Sequence, residues 1–194
     1  MRKVAIAHAY ERLTKAKAAV AAMEASTEFR SFGAAWSDFL IAASGIYSKL
    51  QQGAKSNGSS GGWFGKKMNA RKTDELLRYI HHARNSDEHG LAPTTHLEPG
   101  SFAVGGGGSY RFDGIIGPGG SLAVTHLGGP PPRLEITPAS VRLVTVFDEK
   151  HGNQYQPPAM HLGATLSDTS PLSVAKLGLA YLSALIAEAD KLPE

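Results

Sequence analysis

The sequence predicts an α+β protein, a bundle of about four α-helices with a small antiparallel β meander inserted before the last helix. Apolar residues recur three and four positions apart in four separate stretches, which is typical of helices that share a core. Between residues 101 and 157 this period gives way to short β-branched runs separated by glycines and prolines. With 194 residues, the chain is long enough for a single domain, residues 1–194, that includes such an insertion.

The first two predicted helices span residues 5–25 and 27–52. The apolar stripe of the first consists of Ile6, Ala9, Leu13, Ala16, Val20 and Met23. The stripe of the second is longer and aromatic, with Phe32, Trp36, Phe39, Leu40, Ala43, Ile46, Tyr47 and Leu50. We interpret this second stripe as core, because it is too apolar and too regular to face water. Ser26 or Thr27 is its predicted N-cap.

The next segment, residues 53–62, has the composition of a flexible surface loop. An aromatic pair and four cations follow it, and the candidate RNA-binding residues among them are Trp63, Lys66, Lys67, Arg71 and Lys72. Aromatic rings can stack on bases while cations contact the phosphate backbone. The alternative is that Trp63 and Phe64 close the core and the cations are only solvated.

A third helix is predicted over residues 73–90. Thr73 is the expected N-cap, and Leu76, Leu77, Ile80 and Ala83 share one buried face. Gly90 is the expected left-handed residue that ends the helix.

Short strands are then expected at residues 109–113, 122–125, 134–136 and 141–147, joined by connections too short for parallel crossovers. The last helix, residues 170–191, opens with Ser170 as N-cap and Pro171 at its first position.

The end of the third helix reads Arg84-Asn85-Ser86-Asp87-Glu88-His89. His89 lies in the final turn, where the helix dipole favours an imidazolium, so it is expected to titrate near neutral pH. Arg84 stacks on Glu88, and Asn85 on His89, each four residues apart. Arg84 and His89 are roughly 140° apart around the helix, so they would converge on one phosphate more easily if two copies of the helix met across a two-fold axis.

This arrangement resembles the R-x4-6-H motif of the HEPN superfamily of helical proteins. The resemblance rests on Arg84, Asn85 and His89 and extends over about residues 5–90 and 170–191. Members are typically four- or five-helix bundles that dimerise along the motif helix, and many are metal-independent endoribonucleases in toxin and anti-phage systems. The resemblance therefore implies a homodimer, an RNA substrate, no cofactor and, in a toxin system, an antitoxin as partner.

RNA cleavage without a metal needs a base for the 2′-hydroxyl, an acid for the leaving oxygen and positive charge at the phosphate. His89 can supply the acid or the base, and Arg84 the bidentate positive charge. Asn85 can orient the His89 ring or bind the phosphate. The resemblance implies products with a 2′,3′-cyclic phosphate and a 5′-hydroxyl.

Two alternatives remain open. Arg84 and Glu88 can form a simple exposed ion pair while His89 stabilises the helix end, which would make the domain a non-catalytic binding or dimerisation module. A His-based metal site is the other alternative, since two sets of residues each share a helical face; these are His82, Ser86 and His89, and His81, Asn85 and Glu88. No H-E-x-x-H spacing is present, so we expect no metal.

Composition adds mild constraints. The absence of cysteine excludes disulfides and thiolate metal sites, which fits a cytoplasmic protein. A net charge of +3 permits contact with nucleic acid without requiring it. No apolar run looks long enough to span a membrane, and the N-terminus does not resemble a signal peptide, so no membrane association is expected.

Overall fold

The computed structural model describes residues 1–55, 57–90, 92–114, 122–148 and 151–194, without the side chains of His89 and Leu122. The described residues form five α-helices and ten short strands, which confirms the predicted α+β class. The helices are α1 (Lys3–Ala25), α2 (Phe29–Ala54), α3 (Gly58–Thr73), α4 (Glu75–His89) and α5 (Pro171–Asp190).

The core lies between α1, α2, α4 and α5. The stripe of α2 forms its centre, and five of its side chains are at most 1% exposed; these are Trp36, Phe39, Leu40, Ile46 and Leu50. The interpretation of this stripe as core is therefore confirmed. Its packing against α1 extends along both helices, and α5 lies against both of them.

Helices occupy most of the segment 53–62 that was predicted to be a loop, since α2 extends to Ala54 and α3 begins at Gly58, so that prediction is wrong for residues 53–54 and 58–62. Asn57 caps the helix, since its side-chain oxygen accepts a hydrogen bond from the Ser60 amide at 2.7 Å. Ser60 and Phe64 are buried against the bundle. Capping and burial thus outweigh the low helix propensity of the glycines in this segment.

Two predicted N-caps are also wrong. Ser26 ends α1 instead, with its hydroxyl donating to the Ala22 carbonyl at 2.7 Å, and α2 begins after Glu28 without a side-chain cap. Thr73 is the last residue of α3, and Asp74 caps α4 by accepting a hydrogen bond from the Leu77 amide at 2.9 Å. Asp is as good an N-cap as Ser or Thr, so the predicted boundary was displaced by one residue.

Gly90 ends α4 as predicted but not in the left-handed conformation. Its φ and ψ are −101° and 169°, which is extended backbone, and its amide donates to the Ser86 carbonyl at 2.8 Å. A Cβ at this position would lie 2.6 Å from the same carbonyl oxygen. Glycine is therefore required here by the close approach of the backbone.

The chain divides into two compact units. The first contains residues 1–97 and 141–194, and the second contains residues 98–140. The strands are β1 (Thr95–Glu98), β2 (Ser101–Gly105), β3 (Ser109–Gly114), β4 (Leu122–Gly128), β5 (Arg133–Thr137), β6 (Ser140–Leu143), β7 (Val146–Asp148), β8 (Asn153–Tyr155), β9 (Met160–His161) and β10 (Ala164–Thr165). Residues 115–121 and 149–150 of the predicted insertion lie outside the described residues.

The second unit is antiparallel, as predicted, but its pairing is nested. Strand β3 pairs with β4, while β2 pairs with β5, so that Phe102 lies opposite Ile136 and Phe112 opposite Val124. A meander would pair strands that are neighbours in sequence. Here β2 continues past the glycines at 106–108 into β3 instead of folding back, and the outer strands pair around the inner hairpin. Of the remaining strands, β1 pairs with β6, β7 with β8 and β9 with β10.

Helix α5 begins as predicted, with Pro171 at its first position and the Ser170 hydroxyl accepting from the Ser173 amide at 3.3 Å. By length and composition alone it could cross a membrane, which differs from the expectation that no run is long enough. One side of the helix packs against α1, α2 and α4. Its most deeply buried residues are Val174, Ala175, Leu182, Leu185, Ile186 and Ala189.

We expect Gly178→Val to destabilise the fold by about 1–3 kcal/mol, because α5 has no room for a side chain there. A Cβ at position 178 would lie 2.7 Å from Ile80 Cδ1 and 3.2 Å from Phe39 Cζ. Gly65→Ala is the matched control, since a Cβ in α3 at position 65 meets nothing within 4 Å. It should stabilise by roughly 0.5–1 kcal/mol through helix propensity. Urea unfolding measures the free energy of unfolding of both variants. Equal changes in the two would show that α5 is not closely packed at position 178.

Candidate functional site

Helix α4 is fixed at its start by two carboxylates. Besides capping the helix, Asp74 accepts hydrogen bonds from the Leu162 amide at 2.7 Å and from His161 Nδ1 at 3.0 Å. Glu75 accepts from the amides of residues 159 and 160 at 3.0 and 3.1 Å. Burial alone would raise the pKa of Asp74, but the Leu162 and Leu77 amides outweigh it and hold the pKa below its usual value. The cap is therefore ionised at neutral pH.

A buried polar network fixes the strands that follow. Trp36 Nε1 donates to Thr94 Oγ1 at 3.0 Å, and the Val144 amide donates to the Thr94 carbonyl at 3.2 Å. The Tyr79 hydroxyl, on α4, donates to the Val144 carbonyl at 2.7 Å. These bonds hold the end of β6 and the start of β7 against α4 and α2.

An open groove of about 930 Å³ lies between the C-terminal half of α4 and the β7–β8 hairpin. The α4 wall presents His82, Asn85 and Ser86. The opposite wall presents Phe147, Asp148, His151 and Asn153. The groove thus brings imidazole, carboxylate, amide and hydroxyl groups together at the end of α4 that carries the Arg84–His89 motif.

His82 is held by stacking. Its ring lies on that of Tyr155 with 3.5 Å between the centroids and 10° between the planes. Burial lowers the pKa of His82, and the carboxylate of Asp148 opposes this without cancelling it. A neutral imidazole is therefore fixed in the α4 wall at neutral pH.

Asp148 and His151 form a pair in the opposite wall, with 2.9 Å between Asp148 Oδ2 and His151 Nδ1. The turn that joins them ends at Gly152, whose φ is +67° and whose amide donates to the Asp148 carbonyl at 2.8 Å. The sequence alone indicates no role for His151. The available signal was an Asp followed three residues later by His and then by Gly, a pattern that favours a turn closed by a side chain.

The motif residues are only partly brought together. Asn85 lies in the groove, whereas Arg84 forms the predicted ion pair with Glu88 and also donates to Asn85 Oδ1 at 3.3 Å. The Arg84 Nε is buried and has no hydrogen-bond partner among the described residues. His89 is the last residue of α4, and its side chain lies outside the part of the chain that the structure describes.

Two of the candidate RNA-binding residues contact α5. Trp63 Nε1 donates to Glu188 Oε2 at 3.3 Å, and Lys67 Nζ lies 2.5 Å from the same oxygen. Lys67 also lies over the Trp63 ring, 5.9 Å from its centroid. These contacts join α3 to α5, and Phe64 beside them is buried as the alternative expectation proposed.

Of the other three candidate RNA-binding residues, one packs against the bundle and two are exposed. Arg71 lies over the Tyr47 ring of α2, 4.6 Å from its centroid, and is partly buried. Lys66 and Lys72 are exposed on α3. Of the four candidate cations, these two are exposed and the other two are partly buried.

No cluster of three or more His, Cys, Asp or Glu side chains that could hold a metal occurs in the described residues. The two face-sharing sets considered for a metal on α4 thus gain no support from the described side chains.

Comparison with known proteins identifies no relative, since no family model matches the sequence and neither a curated protein nor a solved structure gives a significant match. The site has to be interpreted from its own geometry and chemistry.

His81 makes stability depend on pH. Burial, Arg71, His82 and Arg84 lower its pKa to about 4. The unfolded chain takes up the proton near pH 6.5, so the contribution of His81 is present above that pH and is lost as the pH falls towards 4. We expect His81→Gln to reduce the loss of stability between pH 7 and pH 4.5 by on the order of 1–3 kcal/mol.

Urea unfolding at the two pH values measures this effect. His8→Gln, on the exposed face of α1, is the matched control and should retain the wild-type pH dependence. An unchanged pH dependence in His81→Gln would show that the buried histidine is not responsible.

Proposed function

We propose that the protein is a metal-independent endoribonuclease of HEPN type that acts as a dimer in the groove beside the C-terminal half of α4. The observation that carries this proposal is the groove itself, in which Asn85 of the motif lies beside the His82 imidazole and opposite the Asp148 carboxylate and the His151 imidazole. RNA cleavage through the 2′-hydroxyl needs only proton transfer and charge stabilisation. The imidazoles in the groove are of the kind that transfers protons, and the proposal assigns the charge stabilisation to Arg84.

The shape and lining of the groove suit a single-stranded substrate. Its volume of about 930 Å³ is at the upper end of the range for ligand sites. Phe147 is 52% exposed at the rim, where its ring could stack on a base. Asn85, Ser86 and Asn153 can donate hydrogen bonds to phosphate or base edges.

In a dimer, the Arg84 side chain of the second chain would add positive charge at the phosphate. The Arg84 side chain is 27% exposed and pairs with Glu88 one turn further along α4. In a dimer along α4, the partner helix would bring a second guanidinium to the same phosphate, with the bidentate geometry that lysine lacks. On this proposal the enzyme needs no cofactor, works in the cytoplasm and, as a toxin or phage-defence effector, is restrained by an antitoxin.

A second candidate function is a non-catalytic helical module that binds a partner or dimerises. The observation that favours it is that the charged motif residues already have partners within the chain. Arg84 pairs with Glu88, and Asp87 accepts a hydrogen bond from the Ser37 hydroxyl of α2. Such contacts are sufficient to explain these residues as stabilisers of α4.

The proposed activity predicts that purified protein cleaves single-stranded RNA in excess EDTA and leaves 2′,3′-cyclic phosphate ends. His89→Ala and Arg84→Ala should each reduce the rate by about 100-fold or more, because each removes a proton-transfer group or transition-state charge. Denaturing gels with end-group analysis measure this. His8→Ala, in α1 away from the groove, is the matched control and should cleave at the wild-type rate.

The other outcomes are equally informative. Equal cleavage by all the variants would identify a contaminating nuclease or another site. An absence of cleavage by wild-type protein that is dimeric in light scattering would favour the non-catalytic module.

A further inference from the structure

We propose that His151 is the general acid of RNA cleavage in this groove and that Asp148 positions it. The inference rests on the proposed endoribonuclease activity and names a group outside the Arg84–His89 motif. A cleavage of this type needs both a base and an acid, and the motif supplies only one histidine per chain. His151, from a different part of the chain, lies in the wall of the groove opposite α4.

The geometry of the pair fixes which nitrogen faces the substrate. Asp148 accepts at 2.9 Å from Nδ1, and its other oxygen lies 3.3 Å from the His151 amide nitrogen, which donates to it. Because an ionised carboxylate can only accept, Nδ1 carries the hydrogen. Nε2 has no hydrogen-bond partner among the described residues, so it can hold the second proton and deliver it.

The electrostatics agree with this arrangement. The hydrogen bond from His151 holds the pKa of Asp148 below its usual value, so the carboxylate is ionised at neutral pH and accepts from Nδ1 of His151. A carboxylate that orients a histidine in this way sets its tautomer and supports its charged form.

The turn does not need the imidazole for its own structure. It is closed by the backbone, since the amides of residues 151 and 152 donate to the Asp148 carbonyl at 3.2 and 2.8 Å. The Asp148 side chain is 20% exposed, whereas that of His151 is 59% exposed. A half-exposed ring held at one nitrogen by a more buried carboxylate is preorganised to meet a ligand.

Two histidines account for both proton transfers in the cleavage reaction. The 2′-oxygen attacks phosphorus and its proton passes to the base, the role that the proposed function gives to His89. The bond from phosphorus to the 5′-oxygen breaks, its electron pair stays on that oxygen, and Nε2 of His151 donates the proton that makes it a hydroxyl. The products are a 2′,3′-cyclic phosphate and a 5′-hydroxyl, and exchange with water then restores both histidines.

The test uses His151→Ala, Asp148→Asn and full-length wild type on a single-stranded RNA that contains every dinucleotide step. We expect His151→Ala to lose about 100-fold in rate and Asp148→Asn about 10-fold. A second substrate replaces the 5′-oxygen at the cleaved step by sulfur, a leaving group that needs no proton. On it, His151→Ala should cleave within a few-fold of wild type, while His89→Ala should remain slow.

Restoration by sulfur in His151→Ala alone establishes the acid role, since a merely structural residue would slow both substrates equally. Wild-type rates in His151→Ala with loss in His89→Ala would overturn this inference and leave the proposed endoribonuclease intact. Slow cleavage of both substrates by His151→Ala would also overturn it. Absence of cleavage by wild type would remove the proposed function and the inference together. Circular dichroism of each variant is the check that the substitutions leave the fold unchanged.

Discussion

The position of Thr94 is the constraint on which the rest of the site depends. Its hydroxyl and carbonyl are buried, so both need partners, and they find them in the Trp36 indole and the Val144 amide. Tyr79 completes the set by donating to the Val144 carbonyl. Since leaving such a buried group unpaired costs roughly 1–3 kcal/mol, the strands have one favourable position against α4. The groove exists because this position keeps the β7–β8 hairpin beside the end of the helix.

Regular features of the fold could be predicted from the sequence because they have a period. The stripe of α2 and the cap and proline of α5 are each specified within one segment, and both predictions were confirmed. Helix α3 could not be predicted in the same way, because its glycines disfavour a helix locally. What favours the helix is the burial of Ser60 and Phe64 by residues far away in sequence. The nested pairing of the second unit likewise depends on contacts between distant strands.

The candidate site also has one part that could be predicted from a single segment and another that depends on contacts between distant segments. Arg84, Asn85 and Glu88 lie on one helix, so their neighbours at four-residue spacing could be predicted, and the Arg84–Glu88 pair is present. The opposite wall is about sixty residues further along the chain, in a short turn with no periodic signal. Only the folded chain shows that Asp148 and His151 face the motif helix. For the same reason, the candidate RNA-binding residues Trp63 and Lys67 gave no indication that Glu188 of α5 would engage them.

Asp74 does more than cap a helix, because its carboxylate also binds a segment far away in sequence. It ends α3, begins α4 and, through the Leu162 amide and His161, attaches the segment after β8 to the same point. The carboxylate therefore joins the boundary between two consecutive helices to a segment almost ninety residues further along the chain. Loss of this carboxylate would release the start of α4, the helix that forms one wall of the groove, although no residue in either wall had been altered.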